Sequence, residues 1–176
     1  TIEIPVVVHI LYNTAAQNIS DAQVASQIAV LNEDYQDRNG DRTNLPANSF
    51  QTVASTGFNV RFVLAQAPIH KATKTRSFST NDAVKYSKRG GDDAIDPAHN
   101  LNIWACNLGQ SLLGYAQFPG GSPATDGVVI LYSAFGSRNK YPAGTYIATY
   151  DLGRTATHEV GHWMNLRHIW GDDGGS

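Results

Sequence analysis

The N-terminal segment is an almost unbroken apolar run over residues 4–12, interrupted only by Pro5 and His9 and rich in β-branched side chains. Continuous apolar character at this length predicts a strand that is covered on both faces. Four later segments with apolar or alternating character predict further strands: 58–65, 101–106, 114–118 and 127–132. The pattern therefore predicts a sheet of five strands.

Helical periodicity begins after Ser20, which stands three residues before Gln23 in the spacing of a capping box. Apolar residues follow at helical spacing, and Asn39 and Gly40 predict the end of this helix. A short second helix is predicted over residues 46–55. The last helix of the sequence is predicted from Asp151, as N-cap, to about Met164, and its core-facing stripe is Leu152, Ala156, Val160 and Trp163.

The order of these elements predicts an α/β fold in one domain spanning residues 1–176. A helix between the first two strands, and closely spaced strands afterwards, favour a mixed, mostly parallel sheet with helices packed on it. Residues 66–98 are predicted to be a long loop that holds six of the thirteen basic residues. Two interpretations of this loop stay open, a solvated excursion and a flap that contacts substrate.

Composition excludes several classes of protein. Hydrophobic residues make up 41% of the chain and charged residues 16%, which is typical of a packed domain rather than a disordered tail. A net charge of −2 gives no basic surface for nucleic acid. No apolar run reaches the roughly 20 residues of a membrane helix. The single cysteine, Cys106, has no partner in the sequence for an internal disulfide.

His158 and His162 stand one helical turn apart, on the face opposite the predicted apolar stripe. Two imidazoles in that relation are able to bind one metal ion, each nitrogen roughly 2.0–2.1 Å from it. Glu159 lies beside them and reaches a zinc-activated water without serving as a ligand. In this His-Glu-x-x-His pattern the metal acidifies the water and the carboxylate is the general base. The pattern therefore predicts zinc-dependent hydrolysis with Glu159 as the catalytic residue.

A third protein ligand is needed, and His168 is the candidate. It follows His158 by ten residues, too far round to share a straight helical face, so the chain has to turn back after the helix. Asn165 stands at that turn, and asparagine is one of the few non-glycine residues enriched at positive φ. We therefore predict that His158, His162 and His168 bind zinc and that Asn165 is left-handed.

A purely structural zinc site is the alternative interpretation of this cluster. Such sites are usually closed by four ligands rich in cysteine, whereas Cys106 lies far upstream in a predicted strand. The remaining histidines are interpreted as ordinary polar side chains: His9, His70 and His99.

The complete spacing from His158 to His168 resembles the long zinc signature of the metzincin metalloproteases, in which glycine usually occupies the turn. Asn165 at the turn, followed by Leu166 and then by residues 167–171, is similar to the pappalysin group and its cytophagalysin branch. The likeness extends over most of the chain through residues 4–9, 101–104, 113–120 and 126–130.

This resemblance implies an endopeptidase that hydrolyses peptide bonds in protein or peptide substrates. It also implies a twisted, mixed five-stranded sheet with a backing helix and an active-site helix, which together form the upper catalytic subdomain. The antiparallel edge strand of that fold pairs with extended substrate, and by position this assigns substrate binding to the main chain of Gly114 and Tyr115. An ordinary edge strand is the alternative interpretation.

The resemblance further implies secretion, an inhibitory propeptide and structural calcium. Asp172 and Asp173 are the candidate calcium ligands, and a solvated tail is the alternative. Metzincins have a methionine-containing turn well after the third histidine, but the only methionine here, Met164, lies inside the motif. We therefore expect the lower subdomain to be absent from this sequence and the natural polypeptide to continue beyond Ser176, with that part as a partner of these residues.

A non-catalytic or truncated zinc-containing binding module is the alternative function. Glu159 argues against it, because a binding module has no use for a general base, whereas the missing lower subdomain argues for it. A protease in which a downstream glutamate is the third ligand is excluded within this sequence, since no glutamate follows Glu159.

Overall fold

The computed structural model describes residues 1–46 and 57–171. Within these ranges the chain forms six strands and two α-helices, joined by loops and short 3-10 turns. The strands are β1 (Ile2–Tyr12), β2 (Val60–Leu64), β3 (Ile69–Ala72), β4 (Leu101–Cys106), β5 (Gly114–Ala116) and β6 (Val128–Leu131), and the helices are α1 (Asp21–Tyr35) and α2 (Arg154–Trp163).

The strands form one mixed sheet in the order β2-β1-β4-β6-β5. β2 pairs with the first half of β1 and β3 with its second half, so these two short strands share one edge of β1. β1, β4 and β6 are parallel to one another, whereas β5 runs antiparallel to β6 at the other edge. The predicted α/β fold is confirmed, and β3 is an additional strand inside the segment predicted as a loop.

One face of the sheet packs against both helices. Val8, Ile103 and Ile130, from three neighbouring strands, are buried there together with Leu31 of α1 and Val160 of α2. Because successive side chains of a strand point to opposite faces, the same strands also supply a second core on the other side.

The second core is covered by the segment between β3 and β4. Phe78 and Val84 of that segment pack against Leu11, Trp104 and Val129 of the sheet. β1 is therefore covered on both faces, as its continuous apolar run predicts. The interpretation of residues 66–98 as a solvated excursion is wrong, because part of this segment closes a hydrophobic core.

Helix α1 begins after Ser20, whose Oγ accepts a hydrogen bond from the main-chain N–H of Gln23 at 3.2 Å. The Gln23 side chain does not complete the predicted capping box; it is buried and hydrogen-bonds the main chain of Thr145 instead. The helix ends at Tyr35, earlier than predicted, and Asp37 follows with a φ of 56°.

Helix α2 begins at Arg154, and its N-cap is Gly153 with a φ of 80° rather than the predicted Asp151. Asp151 forms an ion pair with Arg138 at 2.7 Å. Leu152, predicted to face the core, precedes the helix and is exposed. Glycine adopts a positive φ without a Cβ penalty, so this helix begins through its backbone geometry and not through a side-chain cap.

Helix α1 holds α2 in place beneath the sheet. The Tyr35 hydroxyl donates to the carbonyl of Thr157 at 3.0 Å, and the Thr157 hydroxyl donates to the Asp34 carboxylate at 2.6 Å. At the other end of α2, the indole of Trp163 donates to Asp126 at 3.0 Å. Both ends of the helix are therefore tied to neighbouring elements.

Some sequence expectations concern residues outside the described ranges. The second helix predicted over residues 46–55 lies almost entirely there, as do the candidate calcium ligands Asp172 and Asp173. Neither α1 nor α2 has the length and apolar character required to cross a membrane, and the described ranges hold no other candidate. Cys106 is buried in β4 as a free thiol, and burial raises its pKa.

Candidate active site

Three histidine side chains converge at the C-terminal end of α2. The Nε2 atoms of His158 and His162 lie 2.9 Å apart, and each lies 3.2 Å from Nε2 of His168. His158 and His162 lie on successive turns of the helix, whereas His168 belongs to the segment after it. Among residues 1–46 and 57–171, this is the only group of His, Cys, Asp or Glu side chains with the spacing of a metal site.

The arrangement fits a metal ion better than a set of hydrogen bonds. Nitrogen ligands roughly 2.0–2.1 Å from a tetrahedral ion lie about 3.3 Å from one another, close to the spacing of these atoms. A neutral imidazole nitrogen is either a donor or an acceptor, so three mutually adjacent Nε2 atoms cannot all satisfy one another. Burial, followed by the charges of His162 and His168, lowers the pKa of His158 and favours its neutral, metal-ligating form.

The turn after α2 brings His168 back to the other two histidines. Asn165 has a φ of 72°, which confirms the left-handed conformation predicted from the sequence. Its N–H donates to the carbonyl of His162, and the N–H of Leu166 donates to the carbonyl of Gly161, both at 2.9 Å. This pair of hydrogen bonds is the Schellman motif, which ends a helix and reverses the chain.

Further contacts around the cluster orient the imidazole rings. Nδ1 of His162 lies 2.8 Å from the carbonyl oxygen of Leu166, so Nδ1 carries the hydrogen and the lone pair on Nε2 faces the cluster. The ring of His168 stacks on Trp170 with centroids 4.7 Å apart, and Phe118 contacts the His162 ring at 5.3 Å. The motif alone predicts none of these contacts, because they depend on the reversed turn after α2 and on Phe118 in a distant segment.

Glu159 faces the sheet and lies against the edge strand β5. Only 8% of the residue is exposed. Burial raises the pKa of its carboxyl to about 7, and the charge of His168 acts in the opposite direction. A cation held by the three histidines would lower this pKa and keep the carboxylate ionised. The site therefore combines a candidate metal centre with a proton acceptor suited to neutral pH.

The outer edge of β5 offers unpaired main-chain groups beside this site, since no strand in the described ranges pairs with it. The N–H of Leu131 in β6 donates to the carbonyl of Leu113 at 2.8 Å, and the N–H of Gln117 donates to the carbonyl of Gly127, just before β6, at 3.1 Å. In an antiparallel pair, such residues alternate with residues whose N–H and C=O point away from the partner strand. The main chain of Tyr115 is therefore directed at β6, which corrects its expected role, whereas Gly114 and Ala116 face the free edge.

A cavity of about 500 Å³ opens next to Glu159, between the start of β5 and the start of α2. Leu113, Tyr150 and Leu152 give it apolar walls, and Thr149 adds a hydroxyl. Thr149 has a φ of 80°, a conformation that is costly for a β-branched residue and is often found at functional sites. A second cavity, of about 540 Å³, borders all three histidines of the cluster.

The other histidines have structural partners and do not join the cluster. His9 is fully buried and stacks on Trp104, and the rings of His70 and His99 are closer to the surface. Each pairs with a carboxylate: His9 with Asp92, His70 with Asp21 and His99 with Asp96. Their interpretation as ordinary polar side chains is confirmed.

Comparisons with known proteins identify metalloproteases. No protein-family model matches the chain. An extracellular metalloprotease of Arthroderma benhamiae is 31% identical over 176 residues, which cover 95% of this chain and 48% of the relative. Extracellular metalloprotease 1 of Coccidioides posadasii is 30% identical over 178 residues, covering 96% of this chain and 53% of the relative. The chain thus spans about half the length of these curated relatives.

Among solved structures, mature mirolysin of Tannerella forsythia in complex with a cleaved peptide superposes with a TM-score of 0.92. It is 52% identical, and the match covers 100% of this chain and 67% of mirolysin. The sheet and the two helices are therefore those of a known metalloprotease fold. On this similarity, the chain belongs to the metalloprotease family that includes mirolysin.

Proposed function

We propose that the chain forms the catalytic part of a secreted zinc endopeptidase of the pappalysin group of metzincins. The observation that carries the proposal is the convergence of three Nε2 atoms, 2.9–3.2 Å apart, beside the buried carboxylate of Glu159. Because the chain spans about half the length of its fungal relatives, the activity of the whole protein is part of this proposal.

His158, His162 and His168 are the proposed zinc ligands. Three protein ligands leave one coordination position open, which is the arrangement of catalytic rather than structural zinc sites. Zinc held there would polarise the carbonyl of a peptide bond and lower the pKa of a water molecule toward about 7. The Leu166 carbonyl supports this role by holding His162 in the tautomer with a free Nε2 lone pair.

Glu159 is the proposed general base. Its carboxylate accepts a proton from the attacking water and then donates it to the departing amine. Burial against β5 keeps bulk solvent from competing for the carboxylate. A non-catalytic zinc-binding module has no need of a general base, so the unfavourable burial of this carboxylate favours a catalytic role.

The free edge of β5 is the proposed binding site for an extended peptide. The N–H and C=O groups of Gly114 and Ala116 would hydrogen-bond the peptide backbone by strand addition, in place of the Gly114 and Tyr115 groups expected from the sequence. The cavity next to Glu159 would receive a peptide side chain near the scissile bond. Mirolysin, the structural relative, has been solved with a cleaved peptide.

Secretion and calcium binding complete the proposal. Secretion is supported by relatives that are named extracellular. Calcium at Asp172 and Asp173 is supported by the sequence resemblance alone, because these residues lie outside the described ranges.

Metal content and peptide hydrolysis, measured on the same variants of the full-length protein, test the mechanism. We expect Glu159→Gln to keep about one zinc per chain while hydrolysis falls on the order of 10²–10⁴-fold, the usual contribution of a general base. His168→Ala should lose both zinc and hydrolysis. The matched control is His99→Ala, whose exposed ring pairs with Asp96 and which should keep both.

Two outcomes would contradict this assignment. Appreciable hydrolysis by Glu159→Gln would show that another group is the base. A wild-type protein that binds zinc yet cleaves no member of a broad peptide library would favour the binding module.

A further inference from the structure

We propose that Gly114 is a positioning residue for Glu159. Because glycine has no side chain, the Glu159 side chain occupies the space that a Cβ atom at position 114 would fill. This inference rests on the proposed function of Glu159 as general base. It assigns to Gly114 a steric role, distinct from any hydrogen bonding by its main chain.

The distances around Gly114 leave no room for a methyl group. A Cβ atom at this position would lie 2.9 Å from Cγ of Glu159, 2.9 Å from the carbonyl oxygen of Val129 and 3.2 Å from Cδ1 of Ile130. Ordinary contacts of a Cβ atom begin near 3.4 Å. Because both contacts at 2.9 Å are closer than real Cβ atoms approach, an alanine at position 114 would have to displace Glu159 and also shift slightly against the Val129 carbonyl.

Glu159 is the group with the most freedom to move. Val129 belongs to the central part of the sheet, paired with Trp104 on one side and with Tyr115 on the other, so its carbonyl oxygen is held in place. Ile130 is fully buried in the core beneath the helices. Glu159 has rotatable side-chain bonds, and within residues 1–46 and 57–171 no hydrogen bond contributes to the pKa of its carboxyl. Steric contact with β5 is what restricts its rotamer.

Contacts on the opposite face of the sheet restrict movement of β5 away from Glu159. The Tyr115 ring points to the opposite face of the sheet, where the ammonium of Lys85 lies 5.1 Å from the ring centroid. Lys85 is only 1% exposed and donates to the carbonyl of Thr125 at 2.6 Å. A buried cation with these partners fixes the position of the strand relative to the sheet.

Backbone conformation does not explain the glycine. Gly114 lies in a β-strand and is not among the residues with positive φ, so alanine could adopt its conformation without strain. Glycine within a strand offers no side chain to pack and commonly marks a close approach by another group. The close approach here is that of the proposed general base.

A double-mutant cycle on Gly114→Ala and Glu159→Ala, in the full-length protein, tests the steric contact without reference to activity. Overpacking typically costs about 1–3 kcal/mol, so we expect Gly114→Ala alone to shift the unfolding equilibrium by roughly five- to a hundredfold. The shift should be smaller in the Glu159→Ala background, because the Glu159 Cγ is then absent, and the part that remains reports the contact with the Val129 carbonyl, which is 2.9 Å from the added Cβ in both backgrounds. If Gly114→Ala does not fold, the double variant should fold where the single variant fails.

Kinetics test the consequence for catalysis. We expect Gly114→Ala to retain the metal content of the wild type and to lose kcat on the order of a hundredfold, with a smaller change in KM, because a displaced base impairs the chemical step. The matched control is Gly40→Ala, where a Cβ would meet nothing within 4 Å and the backbone needs no positive φ. That variant should leave stability, metal content and kcat unchanged.

The two kinds of measurement separate failure of this inference from failure of the proposed function. Equal stability costs in both backgrounds, or an unchanged kcat in a folded Gly114→Ala protein, would overturn the positioning role. If the wild type cleaves no peptide, the proposed function fails, and the stability cycle alone still decides whether Gly114 makes room for Glu159.

Discussion

The Nδ1 atom of His162 lies 2.8 Å from the carbonyl oxygen of Leu166, four residues further along the chain. In a continuous helix that carbonyl would point along the helix axis, away from the side chain. It reaches the imidazole because the left-handed Asn165 reverses the chain first. One backbone conformation therefore ends the helix, brings His168 back to the cluster and sets the tautomer of His162.

Substitutions at Asn165 should affect metal binding according to their tolerance of positive φ. Asn165→Gly should be neutral or slightly stabilising, since glycine adopts this conformation freely. Asn165→Val should cost about 1–3 kcal/mol of strain, equivalent to roughly a five- to hundredfold loss of zinc affinity, because the strain opposes the turn that brings His168 to the metal. Competition with a chromophoric chelator measures the affinity of each variant. Undiminished affinity in the valine variant would mean that the turn does not control the ligand geometry.

Proline substitutions in β5 should distinguish its free edge from its paired edge. Ala116→Pro removes an N–H that points away from β6, and proline is tolerated at that kind of edge position. We expect it to fold and to raise KM for peptide substrates roughly three- to tenfold with little change in kcat, the effect of one lost hydrogen bond. Tyr115→Pro removes an N–H directed at Val129 and should instead destabilise the fold. An unchanged KM in a folded Ala116→Pro protein would place the peptide elsewhere.

Much of this site is predictable from local sequence because its chemistry depends on short spacings. His158, Glu159 and His162 fall within two helical turns, so their grouping follows from helix geometry alone. The return of His168 follows from the conformational preference of Asn165. The strands of the sheet are predictable for a related reason, since a buried strand such as β1 requires an apolar run.

The remaining features depend on contacts between distant segments. Gly114 and Glu159 are in contact only because α2 packs against β5. No sequence pattern links the two residues, so their contact cannot be predicted from the sequence. The sequence predicts too early a start for α2, because aspartate is a favourable N-cap residue but the Asp151 carboxylate is bound by Arg138. Residues 66–98 are rich in charged residues, and this composition predicts a solvated loop. The segment also contains a few apolar residues that are buried in the structure, such as Phe78.

Asp92 links three elements and should make stability depend on acid pH. Its carboxylate lies 2.8 Å from Nδ1 of the buried His9 and 2.7 Å from the ammonium of Lys71. Burial by itself would raise the pKa of Asp92, but the hydrogen bonds and charges of Lys71 and His9 outweigh it, so the pKa is lowered overall. A carboxyl whose pKa is lower in the folded state stabilises the fold above its unfolded pKa of about 3.9. That contribution is lost as the pH falls through the folded pKa.

Asp92→Asn should therefore destabilise the protein at pH 7 and progressively less below about pH 4, where the carboxyl becomes protonated first in the unfolded state and, at lower pH, in the folded state as well. At pH 7 we expect a loss of about 1.5–3 kcal/mol in the free energy of unfolding, the range for a hydrogen bond to a charged group. Urea denaturation of both proteins at several pH values measures this difference. A chelator is present in every sample, so that all samples are free of metal and its release in acid does not affect the comparison. Asp96→Asn is the matched control, because its carboxylate is largely exposed beside His99 and should contribute little at any pH. If the loss of unfolding free energy in Asp92→Asn stays constant from pH 7 to pH 3, the charge of the carboxylate does not stabilise the fold. The side chain would then act through packing between β1 and the segment that covers the sheet.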